Sequence, residues 1–421
     1  MLSYDPLSPP NWQDPYPVYR QLRDESPVYF APRTGTWCIS RYADVASAIK
    51  DPETFSSASA FEIMMRERLR KIGLRDALEI CRFLYRSRLN PLTARTSMPP
   101  SLITTDPPLH DKLRAIVNRG FTPSRIRDWE LRARQIVAES MAKLDRGESF
   151  DIVRDLAIPL PVTIIAEMLG IAGDRRADFK RWSDDLIAGS SGGQRAAVFP
   201  RFLKAMGELI VYMREVADAR RLDPRDDLIS TLVDPRHGDA LDDGTLGQFV
   251  IVLLVGGNET TTNLISNTVS ALLNHREVLE QVAAEPSLIP GLIEEGLRYE
   301  SPLQLLFRRA TRDCEVAGTR IPRDANVTLL LGSANRDERQ FEDPDRFDPT
   351  RTTKNHLGFG LGVHFCLGSA LARLETRIAF EALLPRLAGM KRASESSSFV
   401  DSFMVRGLDR LAVRPMAPAS P

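Results

Sequence analysis

One cysteine in this chain is crowded by glycine. It lies in Leu357-Gly358-Phe359-Gly360-Leu361-Gly362-Val363-His364-Phe365-Cys366-Leu367-Gly368. Glycine permits sharp turns and the close approach of a flat ligand. Beyond it, Ala370, Leu371, Leu374, Ile378, Phe380, Leu383 and Leu384 recur at helical spacing, which puts Cys366 on a tight loop at the entrance to a helix. Unpaired N–H groups and the positive dipole end at such an entrance favour thiolate over thiol. A thiolate held this way is a soft axial ligand, and heme iron is among the metals it can hold. A lone cysteine is equally the residue of a small buried hydrophobic position.

A second stretch carries an acid beside an alcohol: Val255-Gly256-Gly257-Asn258-Glu259-Thr260-Thr261-Thr262. It lies inside Phe249 to Leu273, an almost continuously apolar run that predicts a buried central helix. Two glycines weaken that helix locally, and Thr260 can bond a backbone carbonyl and widen the turn. Room for a diatomic molecule and a water follows. Cleaving an O–O bond needs protons at the distal oxygen. A hydroxyl can position them and a carboxylate can resupply them, which are roles for Thr260 and Glu259. Taken alone, the same residues also fit a kinked helix with a core threonine.

Two further pairs share helical spacing. His110 and Arg114 are four apart, after Asp106-Pro107-Pro108, and put two donors for a carboxylate on one helix face. Glu295 and Arg298 are three apart and can pair.

The string Phe359-x-x-Gly362-x-x-x-Cys366-x-Gly368 resembles the heme-binding loop of the cytochrome P-450 family, the heme-thiolate monooxygenases. His364 and Ala370-Leu371-Ala372-Arg373-Leu374-Glu375 resemble its soluble bacterial branch, and the resemblance covers nearly the whole chain. It implies a mainly α fold with a smaller β part, and a single heme-binding domain over 1–421. It implies heme b ligated by Cys366, with Phe359, Gly360, Gly362, His364 and Gly368 in the cofactor loop. His110, Arg114, Arg308 and His356 would hold the heme propionates, with Arg309 the alternative register for Arg308. Glu295, Arg298 and Arg346 would form a structural triad that pins the cysteine loop. Val255, Gly256, Leu303, Leu306, Met404 and Val405 would border an apolar substrate, and Gln304 could make a polar contact. Gly256 stands where the family commonly has alanine, and the acid–alcohol pair remains intact.

The resemblance further implies insertion of one oxygen atom of O2 into a C–H bond. Electrons would come from NAD(P)H through a separate ferredoxin and ferredoxin reductase. Lys112, Arg119, Arg125, Arg127, Arg373 and Arg377 could form the docking face, or be scattered solvated charges. The same residues leave room for a peroxygenase, an oxidase that couples rings or desaturates, and a heme sensor without turnover. A bulky terpenoid- or steroid-like substrate suits the apolar pocket residues and the long lid.

The elements that must position these groups can be read in order. Tyr16 to about Asp24 reads as helix, Val28–Phe30 and Trp37–Ser40 as a hairpin turning at Gly35, and Arg41–Val45 as the start of another helix. Ile158-Pro159-Leu160-Pro161 marks a break before Ile164–Leu169. Residues 59–101, rich in arginine, read as an extended amphipathic lid, or as a solvated basic surface helix. Residues 188–200 read as a mobile roof loop.

The 421 residues hold 56 basic and 56 acidic side chains, so no general attraction to nucleic acid is expected. A 43% hydrophobic content suits a large core. The N-terminus reads as no signal peptide, and no apolar run approaches the ~20 residues of a membrane span. The four scattered cysteines suit a reducing cytoplasm. A cytoplasmic monomer is expected.

Overall fold

The computed structural model describes residues 2–8, 10–58, 74–86, 99–190, 198–351, 355–394 and 398–416. Helices dominate. A five-stranded sheet lies beside them, in the order Val28–Ala31, Thr36–Ile39, Asn326–Leu330, Leu305–Ala310, Phe55–Ser56. The first hairpin pairs Val28 with Ile39 and turns through Gly35 at φ 65°. Leu305–Ala310 runs antiparallel to Asn326–Leu330. Side chains alternate along a strand. Leu305 and Phe307 enter an apolar cluster with Tyr4, Tyr19 and Leu22, which leaves Leu306 and Arg308 on the opposite face.

The central helix spans Asp243–Asn274, longer at both ends than its apolar run. Asp242 caps it by accepting the Thr245 N–H at 2.9 Å. The helical hydrogen-bond pattern runs without interruption through Gly256 and Gly257, so the widened turn expected there is not formed. Contrary to the sequence expectation, this helix is long and apolar enough to cross a bilayer, but 67% of its apolar window is buried inside the protein. It packs against Pro159–Met168, Arg176–Ser190, Val198–Leu222, Arg276–Ala284, Ile289–Tyr299 and Ser369–Leu387.

The break expected before Ile164 is shifted. Helix Pro159–Met168 starts at Pro159, because prolines in a first turn forfeit no helical hydrogen bond. Of the proposed lid, helix Leu74–Arg86 and residues 99–101 are described. The helix buries Phe83 in the main core, and Arg86 lies 3.8 Å from Glu208 of Val198–Leu222. The centre of the proposed roof loop, 191–197, lies outside the described residues.

Glu295 and Arg298 are 0% exposed and joined by two bonds of 2.8 Å. Arg298 spends its other donors on the carbonyls of Asn335, Pro344 and Arg346 at 2.8–3.1 Å. Asn335 accepts the Leu357 N–H at 2.7 Å, at the start of the cysteine loop. The pair therefore pins that loop through Asn335. Arg346 is not its third side chain. It contributes a carbonyl, while its exposed guanidinium lies 3.6 Å from Asp348. The second guanidinium beside Glu295 is that of Arg351, at 3.6 Å and largely buried.

Candidate functional site

Cys366 sits three residues before helix Ser369–Leu387, whose N-cap position is Gly368. The Cys366 N–H donates to the Phe359 carbonyl at 2.9 Å, which closes the loop. Gly360 and Gly362 have φ of 67° and 65°, a left-handed conformation that side-chain-bearing residues rarely adopt. Burial pushes the Cys366 thiol up from its ordinary value. The Gly368 N–H, Arg114 and Arg373 oppose that shift. The helix entrance thus supports the thiolate without producing it, and a coordinating metal would complete the deprotonation.

His110, Arg114, Arg308 and His364 converge beside this cysteine. His110 is 1% exposed, its Nδ1 lies 3.0 Å from Asp111, and its Nε2 has no partner. Its ring meets that of His364 edge-on, with centroids 4.5 Å apart. Burial, Arg308 and His110 hold His364 down at about 4, so it is neutral at ordinary pH. Arg308 is 5% exposed, and burial lowers it to about 10 despite the attraction of Asp106. Arg309 occupies the alternate strand face and donates to the Asp324 carbonyl at 3.3 Å, so Arg308 is the residue in the cluster. Arg114 acts electrostatically on both Cys366 and His364. It is half-buried, with Nε on Asn118 at 3.1 Å.

His356 does not join them. Its Nδ1 accepts the Gly358 N–H at 3.0 Å, and its Nε2 faces Glu294 at 2.9 Å. Both ring nitrogens are spent on the protein, which makes His356 a brace of the loop rather than a propionate ligand. Glu294 also takes two bonds from Arg373, at 2.6 and 2.8 Å, and Arg373 stacks over the Phe359 ring at 4.5 Å. The sequence reading missed Glu294, although it adjoins Glu295.

On the central helix, Thr260 donates to the Gly256 carbonyl at 2.6 Å. Gly256 is exposed, and a Cβ added there would meet nothing within 4 Å. Val255 and Thr260 are partly exposed, while Glu259 is buried. Asn258 turns away and donates to Ser183 at 2.9 Å. Leu303 and Leu306 are partly exposed and pack near Phe55 and Leu357. Met404 and Val405 do less than expected. Met404 packs toward Tyr4 and Tyr19, and Val405 is buried, bordering a small internal cleft with Trp12 and Gln304. Gln304 is likewise buried, with Nε2 bonded to the Ser301 carbonyl at 2.8 Å, so it is no substrate contact.

Among the described residues, no three His, Cys, Asp or Glu side chains converge as a metal site. A metal on Cys366 would need its remaining ligands from a macrocycle. The orphaned His110 Nε2, two arginines and His364 suit that macrocycle's carboxylates, so the donor set fits heme.

A family model described as Cytochrome P450 matches residues 83–388. The chain belongs to the cytochrome P450 family. It is 36% identical over 411 residues to Cytochrome P450 107B1 of Saccharopolyspora erythraea, covering 96% of each chain. It is 36% identical to the Vitamin D(3) 25-hydroxylase of Pseudonocardia autotrophica, covering 99% of this chain and 97% of the relative. The solved structure of cytochrome P450 CYP109Q5 from Chondromyces apiculatus superposes with a TM-score of 0.84 at 39% identity, covering all of both chains. As a cytochrome P450, the chain is an oxidoreductase of the monooxygenase class and a heme-thiolate protein.

The loop brace carries a pH dependence. Burial favours the neutral form of Glu294, but Arg373 and His356 outweigh it and hold the carboxyl at about 2, below its ordinary 4.5. A depressed carboxylate contributes stability above its unfolded value and loses it as pH falls through the folded one. Thermal unfolding should show Glu294→Gln less stable than the parent at neutral pH. The gap should narrow between pH 4.5 and 2. An equal gap at every pH would contradict the brace.

Proposed function

We propose that this P450 hydroxylates a bulky, apolar terpenoid- or steroid-like molecule, with heme b held by Cys366 and its carboxylates gripped by His110, Arg114, Arg308 and His364. Heme, when bound, supplies the activation of O2. In the overall balance R–H, O2, two electrons and two protons become R–OH and water. The observation that carries the reading is the shared neighbourhood of one thiol and four anion-gripping donors. Arg114 acts on Cys366 and on His364 alike.

The other residues bind, orient and move protons. Gly256 and Thr260 are one helical turn apart and so share a face. The bare Gly256 position leaves space for a small molecule beside the Thr260 hydroxyl. The Thr260 proton rests on the Gly256 carbonyl, and its oxygen is available to accept a hydrogen bond. Passing a proton onward needs that bond to switch. Glu259, adjacent in sequence, is the carboxylate that resupplies it. Val255, Leu303 and Leu306 offer apolar contact to the substrate body, which also excludes water. The relative named for vitamin D(3) hydroxylation supports a bulky apolar substrate.

Electrons come from NAD(P)H through a ferredoxin and its reductase in the cytoplasm, with the chain acting as a monomer. Within the expected docking set, Arg373 is committed to Glu294, and Arg377 to Glu130 and Glu381. Arg119 donates to the Asp239 carbonyl. Lys112 and Arg127 are exposed and Arg125 partly so, and these three are the docking cations.

Three measurements test this. Titration of the ferric protein with steroid-like, terpenoid and fatty-acid compounds should give its tightest saturable spin-state shift with the first two classes, and tightest binding of fatty acids would refute the substrate class. Thr260→Val keeps the shape and removes the hydroxyl. Product per NAD(P)H consumed should fall on the order of tenfold, with hydrogen peroxide made instead. Unchanged coupling would remove Thr260 from the proton path. Lys112→Glu with Arg127→Glu should raise the KM for ferredoxin and leave substrate affinity unchanged, and an unchanged KM would place docking elsewhere.

A further inference from the structure

Ser57 belongs to none of the motifs above and Asp106 has been given no role of its own, yet both stand directly behind the anion-gripping cluster. Ser57 is 0% exposed, and its Oγ lies 3.0 Å from His364 Nε2. The Ser57 N–H donates to Asp106 Oδ1 at 2.9 Å, and the Ser56 hydroxyl donates to the other oxygen of Asp106. Ser56 in turn pairs in the sheet with Arg309, the neighbour of Arg308. Asp106 is four residues before His110, and the His110 N–H donates to its backbone carbonyl at 3.0 Å. Asp106 thus ties together the strand end that carries Ser57, through its carboxylate, and the helix start that carries His110, through its backbone carbonyl.

We propose that Ser57, held by Asp106, is a positioning residue that sets the ring orientation of His364 toward a heme carboxylate. The need follows from the donor. A guanidinium presents five N–H groups in a fork and tolerates some rotation. An imidazole presents its donor in one direction, and its second side-chain torsion is broad and roughly two-fold. Which nitrogen carries the proton is set by the bond the other makes. The edge-on contact with His110 restrains the tilt of the ring, and the Ser57 hydroxyl, bonded at Nε2, selects one of its two flipped orientations. Asp106 makes no hydrogen bond to His364 among those described; it holds Ser57 through the Ser57 N–H and also acts on His364 directly through its charge.

This inference rests on the heme reading, and the two fail separately. The ferrous carbon-monoxide spectrum of the purified parent comes first. Absence of a thiolate-ligated heme there overturns both. With heme present, its transfer from the ferric holoprotein to excess apomyoglobin and its midpoint potential are measured. The variants are Ser57→Ala, Asp106→Ala, His364→Ala and the double variant of Ser57 and His364. Ser57→Ala should transfer heme about tenfold faster, the cost of one hydrogen bond to a charged group, and its potential should move in the same direction as that of His364→Ala. Asp106→Ala should follow with a smaller change. The double variant should match His364→Ala alone, because Ser57 has nothing left to position. Parent-like transfer and potential in Ser57→Ala would overturn the proposal, as would full additivity in the double variant. Ser57→Ala removes a single oxygen and keeps the fold, so the test does not depend on Asp106→Ala folding.

Discussion

A buried charge pair organises the active half of this molecule. Glu295 and Arg298 lie entirely out of water, so every donor of the guanidinium needs an acceptor. Arg298 makes five bonds, two to Glu295 and three to loop carbonyls. These carbonyls belong to Asn335, Pro344 and Arg346, in segments with no regular structure to hold them. Breaking such a pair costs about 3–5 kcal/mol, because it strands a buried charge. The chain at Asn335, Pro344 and Arg346 is therefore held in place by this one guanidinium, and the cysteine loop is tied to it through the Asn335–Leu357 bond.

A division of labour follows from that anchor. The loop is braced from behind by polar contacts: Arg298 through Asn335, and Glu294 through His356 and Arg373. Its front carries the thiol and the glycines. The central helix works the same way. Its core-facing residues, such as Leu254, Leu264 and Ile265, are packed, and the face of Gly256 and Thr260 is bare. A long, well-packed helix gives Thr260 a fixed backbone, and the bond to the Gly256 carbonyl places its hydroxyl.

Much of this was legible in the sequence where the signal was local. The glycine-crowded cysteine, the apolar run around Glu259 and Thr260, and the four-residue spacing of His110 and Arg114 each lie within one element. The misassignments came where partners are distant in sequence. His356 looked like a carboxylate ligand because nothing near it in the chain announces Glu294, which is 62 residues away. Arg346 and Arg351 sit on one irregular segment, whose path decides which guanidinium points inward, and spacing cannot tell them apart. The link from Asp106 through Ser57 to His364 was invisible for the same reason. The cap at Asp242 was readable and overlooked. The continuous helix through Gly256 and Gly257 shows packing along the rest of its length overriding the weak propensity of two glycines.

The membrane-like character of the central helix has a consequence for the birth of the protein. On the ribosome, Asp243–Asn274 emerges after some of the helices that pack on it and before Ile289–Tyr299 and Ser369–Leu387. At ordinary elongation rates the surface those two will cover stays bare for on the order of ten seconds. A chaperone or a membrane-insertion machine meeting the nascent chain then sees an apolar helix long enough to insert. Yield in a foreign host should therefore depend on translation speed across residues 275–387 more than on the stability of the finished fold.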